Sequence, residues 1–360
     1  MTEARKPRIL TGDRPTGPLH LGHYVGSLQK RVQMQHEYET FLIIADLHML
    51  TTKNSKEDIA DAFENARSLV VDSIGAGVDP TVATFYLQSG VPEVCEINTI
   101  FQDLTTVPRL ERIPSLKDMA RDARKEEMPY GLLGYPVLQA ADILAVRANC
   151  VPVGKDNAAH VEVTREIARR FNNLYGEVFP IPELVVGDVP SLAGIDGTAK
   201  MSKSLKNAIY LSDDPATLRK KVFSMYTDPN RVRADIPGKV EGNPVFQYLD
   251  AFATDEKAVA ELKKRYRAGQ VADVEVKQYL YEVLDRFLEP IRARREEVLS
   301  RRGYVESLIV EGTERVRAET QATVREMRAA MGLASNWNRL RRRAEQRAPA
   351  EQAEASGSQL

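Results

Sequence analysis

The sequence predicts an α/β protein in which a mostly parallel sheet, covered by helices on both faces, precedes an all-helical domain. Over the first two-thirds of the chain, short runs rich in β-branched and aromatic residues alternate with helical patterns. These runs are mostly apolar and show no alternation of polar and apolar residues, as is typical of strands buried on both faces. Beyond residue 215 the pattern is mostly helical, with Glu and Arg interleaved among apolar positions at helical spacing.

Individual elements can be placed on this pattern. The predicted strands are 8–11, 40–45, 83–87 and 150–153. Residues 57–74 carry apolar side chains at helical spacing and are followed by Gly75 and Gly77, which predicts a helix ending there. The stretch 91–147 also has helical character, so we expect a helical insertion before the chain returns to the sheet.

With 360 residues, the chain is long enough for more than one domain. We predict an α/β domain at 1–214 that contains the sheet, a helical domain at 215–335 and a tail at 336–360. The tail is basic at first and then rich in Ala, Glu, Gln and Ser, which predicts disorder at its end.

The composition is that of a globular protein, with 43% hydrophobic and 28% charged residues and a net charge of −1. No apolar run approaches the roughly 20 residues of a membrane helix. The first residues lack the apolar centre of a signal peptide. Cys95 and Cys150 are far apart and are expected to be reduced thiols. These features predict a cytoplasmic protein without a membrane partner.

The first candidate phosphate-binding element is the stretch 12–26, Gly-Asp-Arg-Pro-Thr-Gly-Pro-Leu-His-Leu-Gly-His-Tyr-Val-Gly, between the first strand and the first helix. A helix N-terminus presents unpaired amides and a positive dipole end, which favour phosphate. His20 and His23 are one helical turn apart, so both imidazoles can face one triphosphate. Gly22 leaves room for a base or a ribose. Two histidines in a turn are often surface residues, but their combination with a strand and glycines favours a nucleotide site.

The second element is Lys200-Met-Ser-Lys203-Ser204, which follows Gly194 and Gly197. Two lysines three residues apart can bind separate phosphate oxygens, and the serine hydroxyls add donors. Glycines before the segment could act as hinges that let it close over a nucleotide. Lysines in a loop usually only contribute solubility, so the segment is informative chiefly in combination with the first element.

Together, His20-Leu-Gly-His23 and Lys200-Met-Ser-Lys-Ser204 resemble the paired signatures of class I aminoacyl-tRNA synthetases. The resemblance extends over about residues 7–335. It implies a Rossmann-like catalytic domain, ATP with Mg²⁺, and a two-step reaction that ends in an aminoacyl-tRNA. The implied catalytic residues are His20, His23, Lys200 and Lys203. The implied ATP contacts are Gly12, Arg14, Gly22, His23, Gly154, Lys155, Asp156, Val189, Lys200, Met201, Ser202, Lys203 and Ser204.

The segment Tyr135-Pro-Val-Leu-Gln139-Ala-Ala-Asp142 is the candidate amino-acid pocket. On a helix, Tyr135, Gln139 and Asp142 share one face. An acid flanked by Ile143 and Leu144 is costly to bury without a donor, and the indole N–H of tryptophan is such a donor. The segment resembles the tryptophan-binding helix of bacterial tryptophanyl-tRNA synthetases. A capped or solvent-facing aspartate is the ordinary alternative.

The next segment, 151–165, resembles the same family, in which Gly-x-Asp contacts the ATP ribose and the next amide contacts the amino acid. These roles fall by position on Gly154, Asp156 and Asn157. Three residues depart from the common family sequence: Arg14 stands in place of glutamine, Lys155 in place of an acid, and Asn157 in place of the longer glutamine. His160 is expected to pack below the site.

The resemblance also implies the partners: tRNA(Trp), L-tryptophan, ATP and a second copy of the chain in a homodimer. No DNA partner is expected, and no protein ligand for the Mg²⁺ is evident, so the metal is expected to arrive with the triphosphate. The helical domain after residue 215 is expected to read the anticodon. The arginines Arg292, Arg294 and Arg295 are candidates for contacts with the tRNA backbone or, more simply, parts of a solvated surface.

Other functions remain open from the sequence alone. Tyrosyl-tRNA synthetases share the fold and a Gln-x-x-Asp helix, whose acid faces a phenol. A small-molecule adenylyltransferase can carry His-x-Gly-His, but such enzymes usually lack a long helical domain. A diverged tryptophan-sensing paralogue without catalysis would have no evident use for Lys200 and Lys203.

Overall fold

A computed structural model describes residues 6–116, 127–153, 158–186, 192–197, 200–203, 205–228, 231 and 233–357; for Val186 and for 347–357 it describes the backbone alone. Within these residues, five strands form one sheet in the order β3-β2-β1-β4-β5. They are β1 (Arg8–Asp13), β2 (Glu39–Ile44), β3 (Ala83–Leu87), β4 (Cys150–Val153) and β5 (Glu183–Val186). Strand β1 pairs in parallel with β2 and β4, and β2 pairs in parallel with β3. The predicted α/β fold with a parallel sheet is therefore confirmed.

Helices occupy most of the remaining chain. Up to β5 they are α1 (Leu21–His23), a π-helical turn (Tyr24–Leu28), α2 (Gln29–Met34), α3 (Asp46–Met49), α4 (Lys56–Gly75), a 3-10 turn (Gln88–Gly90), α5 (Glu93–Gln102), α6 (Val107–Glu111), α7 (Tyr130–Ala145) and α8 (Ala158–Tyr175). After β5 they are α9 (Pro215–Phe223), α10 (Pro244–Phe252), α11 (Glu256–Arg267), α12 (Asp273–Ser300), α13 (Tyr304–Ala330) and α14 (Leu333–Gly357). None of the helices in the described part of the chain combines the length and apolar character that a membrane crossing requires.

Strand β1 lies where the direction of strand succession reverses. The chain places β2 and β3 on one side of β1, and β4 and β5 on the other. In open parallel sheets, ligands bind outside the carboxyl ends of the strands at such a reversal. The stretch that contains His20 and His23 directly follows β1. The fold thus puts the first candidate motif where a nucleotide site is expected.

Local sequence explains the regular elements. Helix α4 begins with a capping box, in which Ser55 Oγ accepts the Asp58 N–H at 3.0 Å and the Asp58 carboxylate accepts the Ser55 N–H. The chain leaves this helix through Gly77, whose φ of +113° suits glycine. Gly12 in β1 is also required, because a Cβ there would meet the Ile43 carbonyl oxygen at 2.0 Å. Strand β5 was not predicted, since four residues with a leading glutamate give little signal.

The chain divides into two compact units. The first consists of Met1–Ser89, Cys150–Ala158 and Leu184–Thr313, and the second of Gly90–Asn149, Ala159–Glu183 and Glu314–Leu360. The core of the first unit joins side chains of the sheet and α4 to those of α9–α12. In the second unit, Phe101, Phe171 and Phe179 pack with ring centroids 4.9–6.4 Å apart. The functional division into 1–214, 215–335 and 336–360 stays a prediction.

A helix begins in the C-terminal segment. The backbone of helix α14 covers Leu333–Gly357, and disorder at the end of the chain stays a prediction. Ala, Glu, Gln and Arg have high helix propensity, which favours a helical backbone here. Trp337 and Leu340 on this helix are exposed.

Gly312 on α13 offers a test of the packing in the first unit. A Cβ at this position would lie 1.9 Å from the Phe85 carbonyl oxygen of β3. We expect Gly312→Ala to lower the free energy of unfolding by about 1–3 kcal/mol, because overpacking outweighs the helix propensity gained. Gly134→Ala on α7 is the matched control, since no atom lies within 4 Å of its added methyl group. It should raise stability by about 0.5–1 kcal/mol. Urea unfolding measures both, and a stabilised Gly312→Ala protein would contradict the packing.

Candidate active site

The backbone around His20 is held like a strand. The Leu21 N–H donates to the Ile209 carbonyl at 2.9 Å, and the Leu211 N–H donates to the Leu19 carbonyl at 3.0 Å. His20 therefore lies opposite Tyr210 as an antiparallel bridge. This pairing brings the chain that follows the lysine motif beside the histidine motif.

The two motifs also touch directly. The Lys203 ammonium donates to the Gly17 carbonyl at 2.7 Å. The Gly22 N–H points at the Met201 sulfur, 3.4 Å away. Gly17 has a φ of +122°, which favours glycine, and a Cβ there would lie 3.6 Å from Lys203 Cδ. Segments that are far apart in the sequence thus form one surface in the first unit.

Hydrogen bonds with neighbouring residues hold the segment that contains Met201 and Lys203 in place. The Ser202 N–H donates to Asn207 Oδ1 at 2.8 Å, and Asn207 Nδ2 donates to Asp196 Oδ1 at 3.1 Å. The Met201 N–H donates to the Leu192 carbonyl at 3.0 Å. A Cβ on Gly194 would overlap Asn207 Nδ2 at 2.0 Å. Packing therefore requires this glycine, which the sequence predicted as a hinge, and Asn207 is a site residue that the sequence analysis missed.

The two histidine rings lie against each other at an interplanar angle of 37°, and one hydrogen bond connects the two residues. Their ring centroids are 3.7 Å apart, and the His20 backbone N–H donates to His23 Nδ1 at 3.1 Å. A neutral His23 whose Nδ1 accepts carries its proton on Nε2. Within the described residues, the buried His20 Nδ1 has no hydrogen-bond partner. Each ring can therefore offer a polar nitrogen to a ligand.

Both imidazoles are neutral at physiological pH. Burial, with the nearby His23 and Lys203 charges, lowers the pKa of His20 to about 2. Burial lowers the pKa of His23 to about 4, although the Asp13 carboxylate opposes this shift. Desolvation disfavours the charged form of an imidazole, which explains the direction. The pair acts as neutral donors and acceptors, and the cationic charge must come from other residues.

Asp13 and Arg31 form an ion pair beneath the histidines. Their closest atoms are 2.5 Å apart, and Arg31 also donates to the Gly12 carbonyl at 3.1 Å. Burial would raise the pKa of Asp13, but the attraction of Arg31, His23 and Lys203 lowers it to about 2. Neither residue was predicted to belong to the site. Arg31 follows His23 by eight residues, a helical spacing that could have placed it below that ring.

The cationic residues of the two motifs differ in their exposure. Burial lowers the pKa of Lys203 to about 8, against the opposing attraction of Asp13 and Asp72. Lys200 is exposed, and its backbone forms an isolated antiparallel β-bridge with Ala193. Arg14 donates to Thr52 Oγ1 at 3.1 Å. The surface therefore combines a half-buried, titratable ammonium with cations that face solvent.

The candidate amino-acid residues lie on α7 in the second unit. Tyr135 is buried, Gln139 is half-buried and Asp142 is only 2% exposed. Asp142 is thus no solvent-facing helical aspartate. Its burial keeps a hydrogen-bond-accepting carboxylate on this helix away from solvent.

A hydrogen-bond network fixes the same helix face. His160 Nδ1 lies 3.1 Å from Gln139 Oε1, while its Nε2 lies 2.8 Å from both Tyr135 Oη and Ser115 Oγ. Because the Gln139 oxygen only accepts, we assign the proton to Nδ1 and let Nε2 accept from the hydroxyls. His160 is buried within this network, and it orients the side chains of Tyr135 and Gln139.

Several predicted contacts lie outside the described residues. They are Gly154, Lys155, Asp156, Asn157, Val189 and Ser204. The roles of these residues, including the departures at Lys155 and Asn157, stay predictions.

Comparison with known proteins identifies the relatives of this chain. A sequence model of the family described as tRNA synthetases class I (W and Y) matches residues 2–289. The chain is 58% identical to a tryptophan–tRNA ligase of Treponema pallidum over 91% of this chain and 97% of that protein. It is 51% identical to a tryptophan–tRNA ligase of Borreliella burgdorferi over 94% of this chain and 97% of that protein.

Solved structures agree with these relatives. The tryptophanyl-tRNA synthetase of Campylobacter jejuni, complexed with ADP and tryptophan, superposes with a TM-score of 0.77 at 34% identity. The match covers 90% of this chain and 99% of that one. The tyrosyl-tRNA synthetase of Archaeoglobus fulgidus shares the fold, with a TM-score of 0.61 at 24% identity.

The protonation of the histidine pair can be measured directly. Because the pKa values of His20 and His23 lie at about 2 and about 4, we expect both rings to stay neutral from pH 8 down to pH 5.5. Nitrogen-15 NMR of histidine-labelled protein should show His23 with its proton on Nε2. Spectra of His20→Gln and His23→Gln assign the two rings. Titration of either ring near pH 6.5 would contradict the burial that we describe.

Proposed function

The chain belongs to the class I tRNA synthetases of the tryptophan and tyrosine type, and we propose that it activates L-tryptophan with ATP and transfers it to tRNA(Trp). The observation that carries the proposal is the contact of the Lys203 segment with the turn around His20 in the first unit. Relatives named tryptophan–tRNA ligases, up to 58% identical over most of the chain, support the choice of amino acid. We expect the enzyme to act in the cytoplasm.

In the first step, the tryptophan carboxylate attacks the α-phosphorus of ATP. A bond from carboxylate oxygen to phosphorus forms, the bond from the α-phosphorus to the bridging oxygen breaks, and diphosphate leaves with that electron pair. The carboxylate is already ionised at neutral pH, so this step needs no general base. Catalysis then consists of positioning the reactants and stabilising the developing charge on phosphate oxygens.

The histidines and the lysines have different roles in this step. His20 and His23, as neutral rings, donate to phosphate oxygens without adding charge of their own. Lys200 and Lys203 stabilise the departing diphosphate, and the Mg²⁺ that arrives with ATP adds positive charge there. In this structure, one N–H of the Lys203 ammonium donates to the Gly17 carbonyl. We propose that ATP draws this ammonium to the phosphates and raises its pKa above about 8, since anionic neighbours favour its charged form.

Tryptophan recognition rests on the α7 face in the second unit. The buried Asp142 accepts the indole N–H, and Tyr135 and Gln139, held by His160, line the same helix face. A site built around a buried hydrogen bond rejects ligands without the matching donor by about 10⁴ or more. Gly154, Asp156 and Asn157 are proposed to contact the ATP ribose and the polar end of the amino acid.

In the second step, a terminal ribose hydroxyl of tRNA(Trp), by family resemblance the 2′-hydroxyl, attacks the carbonyl carbon of the adenylate. An ester forms and AMP leaves. We propose that residues 215–335 read the anticodon and that the enzyme works as a homodimer. Arg14, Lys155 and Asn157, which depart from the family sequence, should change the affinity for ATP or tryptophan without removing activity.

Amino-acid-dependent exchange of diphosphate into ATP tests the first step. We expect exchange with tryptophan and none with tyrosine. Lys203→Ala should lower kcat by about 10²–10³, the usual loss when one transition-state donor is removed. Asp142→Asn should raise the KM for tryptophan by about 10- to 100-fold and weaken selectivity, because a charge-assisted hydrogen bond becomes a neutral one.

Matched controls separate these effects from general damage. Lys206→Asn removes a lysine from the same loop, and asparagine tolerates the φ of 54° at that position. Asp103→Asn removes an exposed acid from the second unit. Both controls should exchange like the wild type. Exchange with tyrosine alone would reverse the assignment of the amino acid, and no exchange with either amino acid would refute synthetase activity.

A further inference from the structure

Asp72 on α4 is a fully buried carboxylate that the proposed reaction does not use. It accepts the Leu19 backbone N–H through Oδ2 at 2.7 Å, and through Oδ1 it pairs with the Arg295 guanidinium of α12. Leu19 is the residue directly before His20. One side chain therefore connects the histidine turn to a helix from a distant part of the sequence.

Helix α12 packs closely against the end of α4 next to Arg295. The Arg294 side chain donates to the Gly75 carbonyl at 2.7 Å, at the end of α4. A Cβ on Gly75 would lie 2.5 Å from Arg295 Cγ and 3.2 Å from the Ile291 carbonyl oxygen. Two arginines that the sequence analysis considered for tRNA contacts are thus used inside the first unit. The close approach at Gly75 restricts where the Arg295 side chain can lie.

On the other side, Asp72 acts on the groups of the turn. The Leu19 carbonyl is bonded to Leu211, so both polar groups of the Leu19 backbone are fixed by residues from outside the turn. Burial raises the pKa of Asp72, and the attraction of Arg295, the Leu19 N–H and Lys203 opposes this rise. The Asp72 charge in turn attracts the Lys203 ammonium. A change at Asp72 therefore reaches the backbone at His20 and the charge at Lys203 together.

Stability alone is a poor explanation for this arrangement. A buried ion pair costs much of its attraction in desolvation, and apolar side chains of similar volume often serve stability as well or better. An apolar residue at 72 could not accept the Leu19 N–H, which would then be buried without a partner. The carboxylate fits a residue that must hold a backbone amide and respond to a cation on another helix.

We infer that Asp72 is a positioning residue for adenylate formation, which sets the backbone of Leu19 and His20 and makes that setting depend on Arg295 of α12. The inference rests on the proposed ATP-binding role of the histidine turn. A displaced turn would misalign the phosphate donors while leaving the α7 face for tryptophan unaltered.

The test measures kcat and KM for ATP and for tryptophan in diphosphate exchange with Asp72→Asn, Arg295→Gln and the double variant. Each single variant should lower kcat/KM for ATP by roughly 10- to 100-fold, as misplacement of reacting groups does. The KM for tryptophan should stay within about twofold, less than the coupling expected of neighbouring residues. In the double variant, the amide introduced at position 72 can accept from Leu19 and donate to the amide introduced at position 295. This variant should regain about tenfold in kcat/KM for ATP over either single variant.

Asp273→Asn is the matched control. It breaks the ion pair of Asp273, the first residue of α12, with the buried Arg231. The other partner of Asp273 is the Tyr266 hydroxyl, which lies outside the histidine turn. This variant should lose stability and keep the wild-type KM for ATP. Active-site titration by the burst of adenylate corrects every rate for the folded fraction. Should Asp72→Asn not fold, Arg295→Lys, which keeps the charge and loses the planar fork, should give the same loss specific for ATP.

The outcomes are distinct. Wild-type protein without exchange would refute the proposed function, whatever the variants do. Active wild-type protein in which Asp72→Asn, or Arg295→Lys in its place, affects ATP and tryptophan equally, or changes only the melting temperature, would overturn the inference. So would a double variant without recovery.

Discussion

The pairing of residues 19–21 with 209–211 is the constraint on which the candidate ATP site depends. Two backbone hydrogen bonds, at 2.9 and 3.0 Å, join segments that come from opposite parts of the first unit. Because of this pairing, the loop with Lys203 starts and ends beside the histidine turn, and its ammonium reaches the Gly17 carbonyl. Asp72 holds the other polar group of Leu19. Without these bonds, the two motifs would be separate loops with ordinary surface residues.

Burial also determines the charge states of the side chains around the histidine turn. Because His20 and His23 are neutral, the protein does not bury two further cations beside Lys203. The carboxylates of Asp13 and Asp72 stabilise the positive charge of Lys203. A surface that is prepared for a polyanion in this way holds its donors in place before ATP arrives. Such preorganisation costs no reorganisation when charge develops in the reaction.

Much of the fold and of the candidate ATP site could be predicted from the sequence, because these features depend on local sequence patterns. Mostly apolar runs without alternation predicted four of the strands, and helical spacing predicted α4 to within one residue at each end. The motif at 12–26 predicted a phosphate site at the end of β1. Residues whose role depends on distant partners could not be predicted: Asp72 and Arg295 are 223 positions apart, and Asn207 gives no signal without its loop. Strand β5 begins with a glutamate, which hides its short apolar run.

Chemical labelling of Lys203 tests the shared nucleotide site most directly. With a pKa of about 8, its amine should react with an acylating reagent at pH 8, and mass spectrometry can follow the rate. Saturating ATP with Mg²⁺ should protect Lys203, since phosphates would then occupy its ammonium, and leave the exposed Lys264 unchanged. Equal labelling of Lys203 with and without ATP would contradict the convergence of the two motifs on one nucleotide.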